Sequence, residues 1–315
     1  MENKIVNVLI ENNLYDKDKQ VNISKCNLLD TFFNTYEFKE SKKQLLPENI
    51  TRDKNGYIIL NEIPFISSNI DFTYDKFSHN EKSWLILNNG TKILAKSLNC
   101  ANPTEKMEQE LLIMYFLKSL NVSCANYDVA IINDKPHLIS PSFLRTDEKI
   151  IRPFTQPETI KQAYEKCKKF GIEKHYLKTL FSDFAYGNPD RFPRNFCTIY
   201  NQYKNTFKIC PLFDNGEFNF YKDSPTFPKL NKNQTNCRFE DAISFLLNFD
   251  EILHWLRGPV RKTNLETCAT RLEKEKGILI SKTTYNKYKF FFKDSEDIIN
   301  DELKRKGQSF RIKLT

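Results

Sequence analysis

The sequence predicts an α+β protein with two lobes: a small β-rich lobe carrying one helix, then a larger and mainly helical lobe. Three observations carry this reading. Two hairpin patterns with one well-marked helix between them fill 84–140. Beyond Pro141 the apolar spacing lengthens to helical periods, over 157–170 and 173–186. The chain has 315 residues, 40% of them hydrophobic, with neither an internal repeat nor a low-complexity linker, so it can bury one large core or two ordinary ones. The expected division is 1–70 as an N-terminal extension or small subdomain, 71–145 as the first lobe, and 146–315 as the helical lobe with a basic C-terminal helix.

Along the chain, Gly56-Tyr57-Ile58-Ile59-Leu60 reads as a short strand. Trp84-Leu85-Ile86-Leu87 and 92–98 read as strands joined at Asn88-Asn89-Gly90, a hairpin turn signal. In the second of these, Ile93, Ala95 and Ser97 share one face, and Leu94, Lys96 and Leu98 share the other. A helix follows, with Asn102 able to cap it, Pro103 suited to its first position and Glu105 to its third. Its second half, Leu111 to Leu117, is apolar nearly all round, which predicts burial between other elements. The second hairpin runs from 127–132 to 137–140 and turns at Asn133-Asp134-Lys135. Residues 142–147 read as a connector. Helices over 157–170 and 173–186 are separated by Gly171. Strands at 196–200 and 207–210 and helices near 239–256, 260–276 and 281–306 complete the chain.

Composition removes several functions. Only 8 residues are Gly, against a usual share of roughly 7%, and neither G-x-G-x-x-G nor G-x-x-x-x-G-K-[ST] occurs, so the usual Rossmann and P-loop signatures are missing. The eight cysteines form no C-x-x-C and sit at no zinc-finger spacing from a His. With no secretory signal and no apolar stretch of membrane length, they read as reduced thiols of a cytoplasmic protein. The net charge of +8 is compatible with acidic partners without demanding them. Residues 281–315 hold nine Lys and Arg against five Asp and Glu, which reads as a solvated helix face or as a docking surface for an acidic target.

The most specific stretch is Gly187-Asn188-Pro189-Asp190-Arg191-Phe192-Pro193-Arg194-Asn195-Phe196, followed by Pro211-Leu212-Phe213-Asp214-Asn215-Gly216. Phosphoryl transfer asks little of a protein: a carboxylate to take the substrate hydroxyl's proton and oxygen ligands for magnesium. D-x-x-x-x-N followed by D-x-G supplies both. Asp190 would accept the proton, Asn195 and Asp214 would bind magnesium, and Gly216 would let the loop turn. Lys96 is the strand lysine that could hold the phosphates of a nucleotide, and Glu110, with Glu108 as fallback, is the helix glutamate that could hold that lysine. Arg191 reads as a brace for the loop through an acidic partner. His175, His254, Cys197, Cys210 and the aromatic run 285–292 read as packing.

On these residues the sequence resembles the HipA-like atypical serine/threonine kinases, and within them the shorter CtkA-like branch. The family's N-x-D-R-[HN]-x-x-N stands here as Asn188-Pro189-Asp190-Arg191-Phe192-Pro193-Arg194-Asn195, and its [FY]-D-x-G as Phe213-Asp214-Asn215-Gly216. The resemblance covers roughly 70–255. It implies a two-lobed protein-kinase-like (HipA-like) fold, ATP and Mg2+ as cofactors, a nucleotide between the lobes, a protein substrate, and an antitoxin partner if the chain is a toxin. It also implies a cytoplasmic location, or secretion without a classical signal if the chain is effector-like. The matching phosphate loop spans 74–83, where Ser78 and Ser83 are the hydroxyl candidates and no Gly occurs. Phe192 stands where many relatives have His. A small-molecule or phosphoinositide-type kinase, a pseudokinase that binds nucleotide without turnover, and nucleic-acid binding through the basic tail are the alternatives.

Overall fold

The computed structural model describes residues 51–60, 82–86, 92–98, 102–145, 148–154, 159–188, 191, 195–201, 203–215 and 239–315. These fall into two units. The first holds the described residues of 51–53, 57–98 and 128–145; the second holds 54–56, 102–127 and those from 148 onward. The expected 1–70 extension lies outside the described residues apart from 51–60.

The first unit is a five-stranded sheet of β1 (Ile58–Ile59), β2 (Lys82–Ile86), β3 (Lys92–Ser97), β4 (Asp128–Ile132) and β5 (Lys135–Pro141), ordered β1-β4-β5-β3-β2. β1 runs parallel to β4 and every other pair is antiparallel. The strand alternation decides the core: Ile93, Ala95, Ile139, Ala130 and Ile132 lie on one face with Ile58 and Leu85. The β4–β5 turn is tight because Asn133 and Asp134 both take positive φ, 49° and 60°, which only short polar residues and glycine adopt readily. Asp128, 1% exposed, opens β4 in a bidentate pair with Arg52 at 3.0 and 2.8 Å, which anchors the segment leading into β1.

In the second unit, α1 (Pro103–Ser119) is buried along both faces of its second half, as its unbroken apolar run requires. Asn102 stands at the N-cap but its side chain makes no capping bond; its carbonyl alone accepts, from the Lys106 amide. At the other end the Trp255 indole donates to the Leu120 carbonyl at 2.7 Å, satisfying one of the helix's orphan acceptors. α2 (Ile160–Lys169) starts at a Thr159–Gln162 capping box, and α3 (Glu173–Tyr186) follows. A three-stranded antiparallel sheet of β6 (Glu148–Ile151), β7 (Thr198–Asn201) and β8 (Thr206–Ile209) has β7 at its centre. β6 follows the expected connector 142–147 and has no counterpart in the sequence reading: four residues carry too little local pattern, and pairing with β7 makes them a strand.

The C-terminal helices are more broken than their periodicity predicts. α4 (Phe239–Leu246) and α5 (Asp250–Arg257) are separate because Phe249 turns out to an extended conformation, its ring against Phe245 and Tyr164. α6 (Leu265–Lys276) starts afresh at Asn264, whose side chain caps the Thr267 amide. α7 (Lys282–Arg305) buries Tyr288, Phe291 and Phe292 of the aromatic run and leaves Phe290 exposed. No helix among the described residues is long and apolar enough to cross a membrane.

Candidate active site

The last turn of α3 begins the site. Gly187 ends the helix at φ +77°, and a Cβ there would stand 2.6 Å from a ring carbon of Phe291 on α7, so both conformation and space ask for glycine. The reversal returns Asn188 toward Asp183: its amide donates to Asp183 Oδ1 and to Tyr186 Oη, each at 3.2 Å, and the Tyr186 hydroxyl donates to Asp183 Oδ1 at 2.8 Å.

Arg191 completes this cluster. It is 1% exposed, and its Nε donates to Asp183 Oδ2 at 3.1 Å while Nη2 donates to Asp183 Oδ1 at 3.2 Å and Tyr186 Oη at 3.0 Å. Nη2 also donates to Asn215 Oδ1. Nη1 donates to two carbonyls, those of Asn195 at 3.2 Å and Phe213 at 2.7 Å. One buried cation thus ties the end of α3 to the backbone of Asn195 and to the residue before Asp214. The acidic brace expected for Arg191 is Asp183. Burial penalises both charges, pushing the Asp183 carboxyl up and pulling Arg191 down. The facing carboxylate outweighs this for the guanidinium and holds it above its ordinary value, so Arg191 stays cationic; for Asp183 burial outweighs the guanidinium and the Tyr186 and Asn188 donors, and its carboxyl lies above the ordinary range.

The loop after β8 is fixed from the other side. Ala125 donates to the Leu212 carbonyl at 2.8 Å and Leu212 to that of Ser123 at 2.9 Å, a short parallel bridge that brings 123–127 alongside 212–215. The Asp214 amide then donates to Tyr127 Oη at 3.0 Å, and the Asn215 amide to Glu110 Oε2 at 3.0 Å. Asp214 holds φ +52°, a left-handed conformation uncommon outside glycine, asparagine and aspartate. Burial, then the Glu110 carboxylate, pushes the Tyr127 hydroxyl well up, so it stays protonated.

Of the sequence-expected residues, Asn195 and Asp214 are half-buried and are drawn together through Arg191; Glu110, 2% exposed, joins them through Asn215. Glu108 serves elsewhere, accepting from the Ser281 amide at 3.0 Å and from the Ser281 and Thr284 hydroxyls where α7 begins. Lys96 is half-buried on β3 of the first unit, opposite Leu138 and on the face away from Ile93 and Ala95. Ser83 lies on β2 in register with Ala95. Asp190 and Ser78 lie outside the described residues, as do Phe192 and Gly216. The sequence reading missed Asp183, Tyr127 and the side chain of Asn215. Asp183 left a signal: it is an acid set among Leu180, Phe181, Phe184 and Ala185 of α3, where a buried carboxylate needs a cation.

Asn195 and Asp214 offer one amide oxygen and one carboxylate. Among the described residues no three His, Cys, Asp or Glu gather to make a fuller cage. Two hard oxygen donors fit magnesium, which takes few protein ligands and fills its octahedron with water and substrate phosphates.

No protein-family profile matches the chain, and no curated protein does. The fold defines the class: it is α+β and kinase-like. One solved structure with this fold is the proinflammatory kinase CtkA of Helicobacter pylori, which this chain resembles with a TM-score of 0.56 over 73% of its own length and 98% of CtkA's, at 12% identity. HipA of Shewanella oneidensis MR-1, solved with HipB and its operator DNA, aligns with a TM-score of 0.46 over 90% of this chain and 71% of that one, at 10% identity.

Proposed function

We propose that the chain is an ATP- and magnesium-dependent serine/threonine protein kinase that transfers the γ-phosphate to a protein hydroxyl. The observation that carries the reading is the Arg191 cluster, in which one buried guanidinium holds the carbonyl of one oxygen donor, Asn195, and that of Phe213, the residue before the other. Magnesium, when bound, would neutralise charge on the phosphate oxygens. Asn195 would offer its amide oxygen and Asp214 its carboxylate. Glu110 and Tyr127 hold the amides of Asn215 and Asp214, so the loop is set before ligand arrives and needs little reorganisation. Asp190, next to Arg191 in the chain, would accept the proton of the substrate hydroxyl, and Lys96 would hold nucleotide phosphates. Growth arrest on expression, lost with Asp190→Asn, is the cellular counterpart that the family resemblance suggests.

The test is incubation of the purified chain with labelled ATP, magnesium and cell lysate, with the labelled side chain identified by mass spectrometry. Phosphoserine or phosphothreonine on a protein is expected, and Asp190→Asn or Asp214→Asn should each reduce labelling by about 100-fold or more. Unchanged labelling in both variants overturns the reading. Label on inositol lipid alone would replace it with a lipid kinase, and ATP binding without transfer would replace it with a pseudokinase.

A further inference from the structure

The charge of this protein is not spread over it. The segments 257–263 and 303–315 contain eight Lys and Arg and no Asp or Glu. Setting them aside leaves 40 of the 48 cations to balance all 40 acids, so the remainder of the chain is neutral and the whole net charge of +8 belongs to these two stretches.

The fold brings the two stretches together at one end of the second unit. Arg257 at the end of α5 donates to Gln308 at 2.6 Å and lies 5.0 Å over the Phe310 ring. The Leu265 amide donates to the Leu314 carbonyl at 2.8 Å, laying the C-terminal segment beside the start of α6. Asn300 of α7 clasps Ile312 through both its amide atoms, at 3.0 and 2.9 Å, which fixes that segment against the helix. Arg305 reaches back to Ser244 and Lys306 to Asn248, placing the end of α7 beside the α4–α5 junction. Seven of the eight cations are exposed and Lys306 is half-buried. Glu302 neutralises Arg305. Arg261, Lys262, Lys304, Arg311 and Lys313 have no carboxylate partner among the described residues.

We propose that this surface binds nucleic acid through its phosphate backbone, independently of the kinase site. Gathering like charges costs folding stability by self-repulsion and creates a strong local potential that an anionic partner would relieve. The partner's chemistry follows from what the surface lacks. None of the large exposed hydrophobic residues among the described ones, Phe290, Leu279 and Tyr203 included, falls in either segment. Stable anchoring to a bilayer takes an apolar signal besides a basic patch, and the fully buried core of a protein interface is its more apolar part; these segments offer neither an exposed apolar anchor nor an apolar centre. Coulombic attraction and hydrogen bonds to charged oxygens remain. A duplex supplies these with one phosphate per about 1.7 Å of its axis, and Arg261 and Arg311, two of the five cations without a carboxylate partner, carry planar forks that suit phosphate.

Fluorescence anisotropy of the full chain with a 20-base-pair DNA duplex and a single-stranded RNA of equal length, without ATP, tests this. Binding should weaken by roughly 100-fold or more between 50 and 200 mM salt. The triple variant Arg261→Glu, Lys262→Glu, Lys313→Glu should lose at least about tenfold in affinity and show a shallower salt slope. A matched triple on α2, Lys161→Glu, Lys168→Glu, Lys169→Glu, should bind within threefold of wild type, as should Asp214→Asn. The DNA and RNA arms decide which nucleic acid is preferred, and preference for either supports the proposal. It is overturned by no binding at 50 mM salt, by equal loss in both triple variants, or by polyglutamate or phosphatidylserine vesicles competing as well as the nucleic acids.

Discussion

Asp214 shows how a single residue answers to two demands. Its carboxylate is the proposed metal ligand, and its backbone sits at φ +52°. Asparagine tolerates that conformation nearly as well as aspartate, whereas alanine pays about 1 kcal/mol for it. Asp214→Asn and Asp214→Ala should therefore be equally inactive, but only the alanine variant should have a lowered urea midpoint. His175 makes a second residue-scale case. It is 5% exposed and stacked on Phe196 at 5.8 Å; burial, then Arg191, depresses its pKa to about 4. The unfolded chain takes up this proton near pH 6.5 and the folded chain only near 4. Its contribution to stability is thus intact above pH 6.5 and lost as the pH falls from 6.5 to 4, by ~3 kcal/mol in full. Urea unfolding at pH 7.5 and 4.5 should show a smaller drop for His175→Gln than for wild type. Histidine here is a core residue, as the sequence suggested, and not a base.

At the scale of elements, the end of α3 is held by glycine geometry and by the Asp183–Arg191 pair. Gly171 and Gly187 follow successive helices with nearly equal φ, 68° and 77°, but a Cβ at Gly171 meets nothing within 4 Å whereas one at Gly187 meets Phe291. Gly171→Ala should cost only the left-handed strain, ~1 kcal/mol, and Gly187→Ala that plus a displaced ring, ~2–3 kcal/mol; paired denaturation curves isolate the clash. Removing one partner of the buried ion pair leaves the other charge uncompensated, so Arg191→Met should destabilise by ~3–5 kcal/mol. Arg191→Lys should recover little, since one ammonium cannot serve Asp183, Asn215 and two carbonyls at once. Thermal melts of the two variants against wild type measure this.

For the whole molecule, the uneven charge makes its own prediction. The wild-type melting temperature should rise as salt goes from 20 to 200 mM, because screening relieves repulsion within the basic end. The triple charge reversal there should melt no lower than wild type and depend less on salt. The sequence by itself determined what neighbouring residues can determine. The Asn133-Asp134 turn, the apolar run in α1, the Pro103 start, and the order of Asp190, Asn195 and Asp214 are each set by spacing over a few positions. The breaks at Phe249 and Asn264 were harder to read, because each depends on a side chain choosing a local partner over the helix that its periodicity favours. The long-range pairings were decided only by the tertiary structure. Asp183 stands 8 residues before Arg191, Glu110 stands 105 before Asn215, and the turn after α5 meets a segment about 50 residues on. The packing of apolar faces, not the local pattern, sets where such partners meet. The hydrophobic burial that joins those faces is nondirectional, so spacing along the chain carries no record of which polar groups it brings face to face.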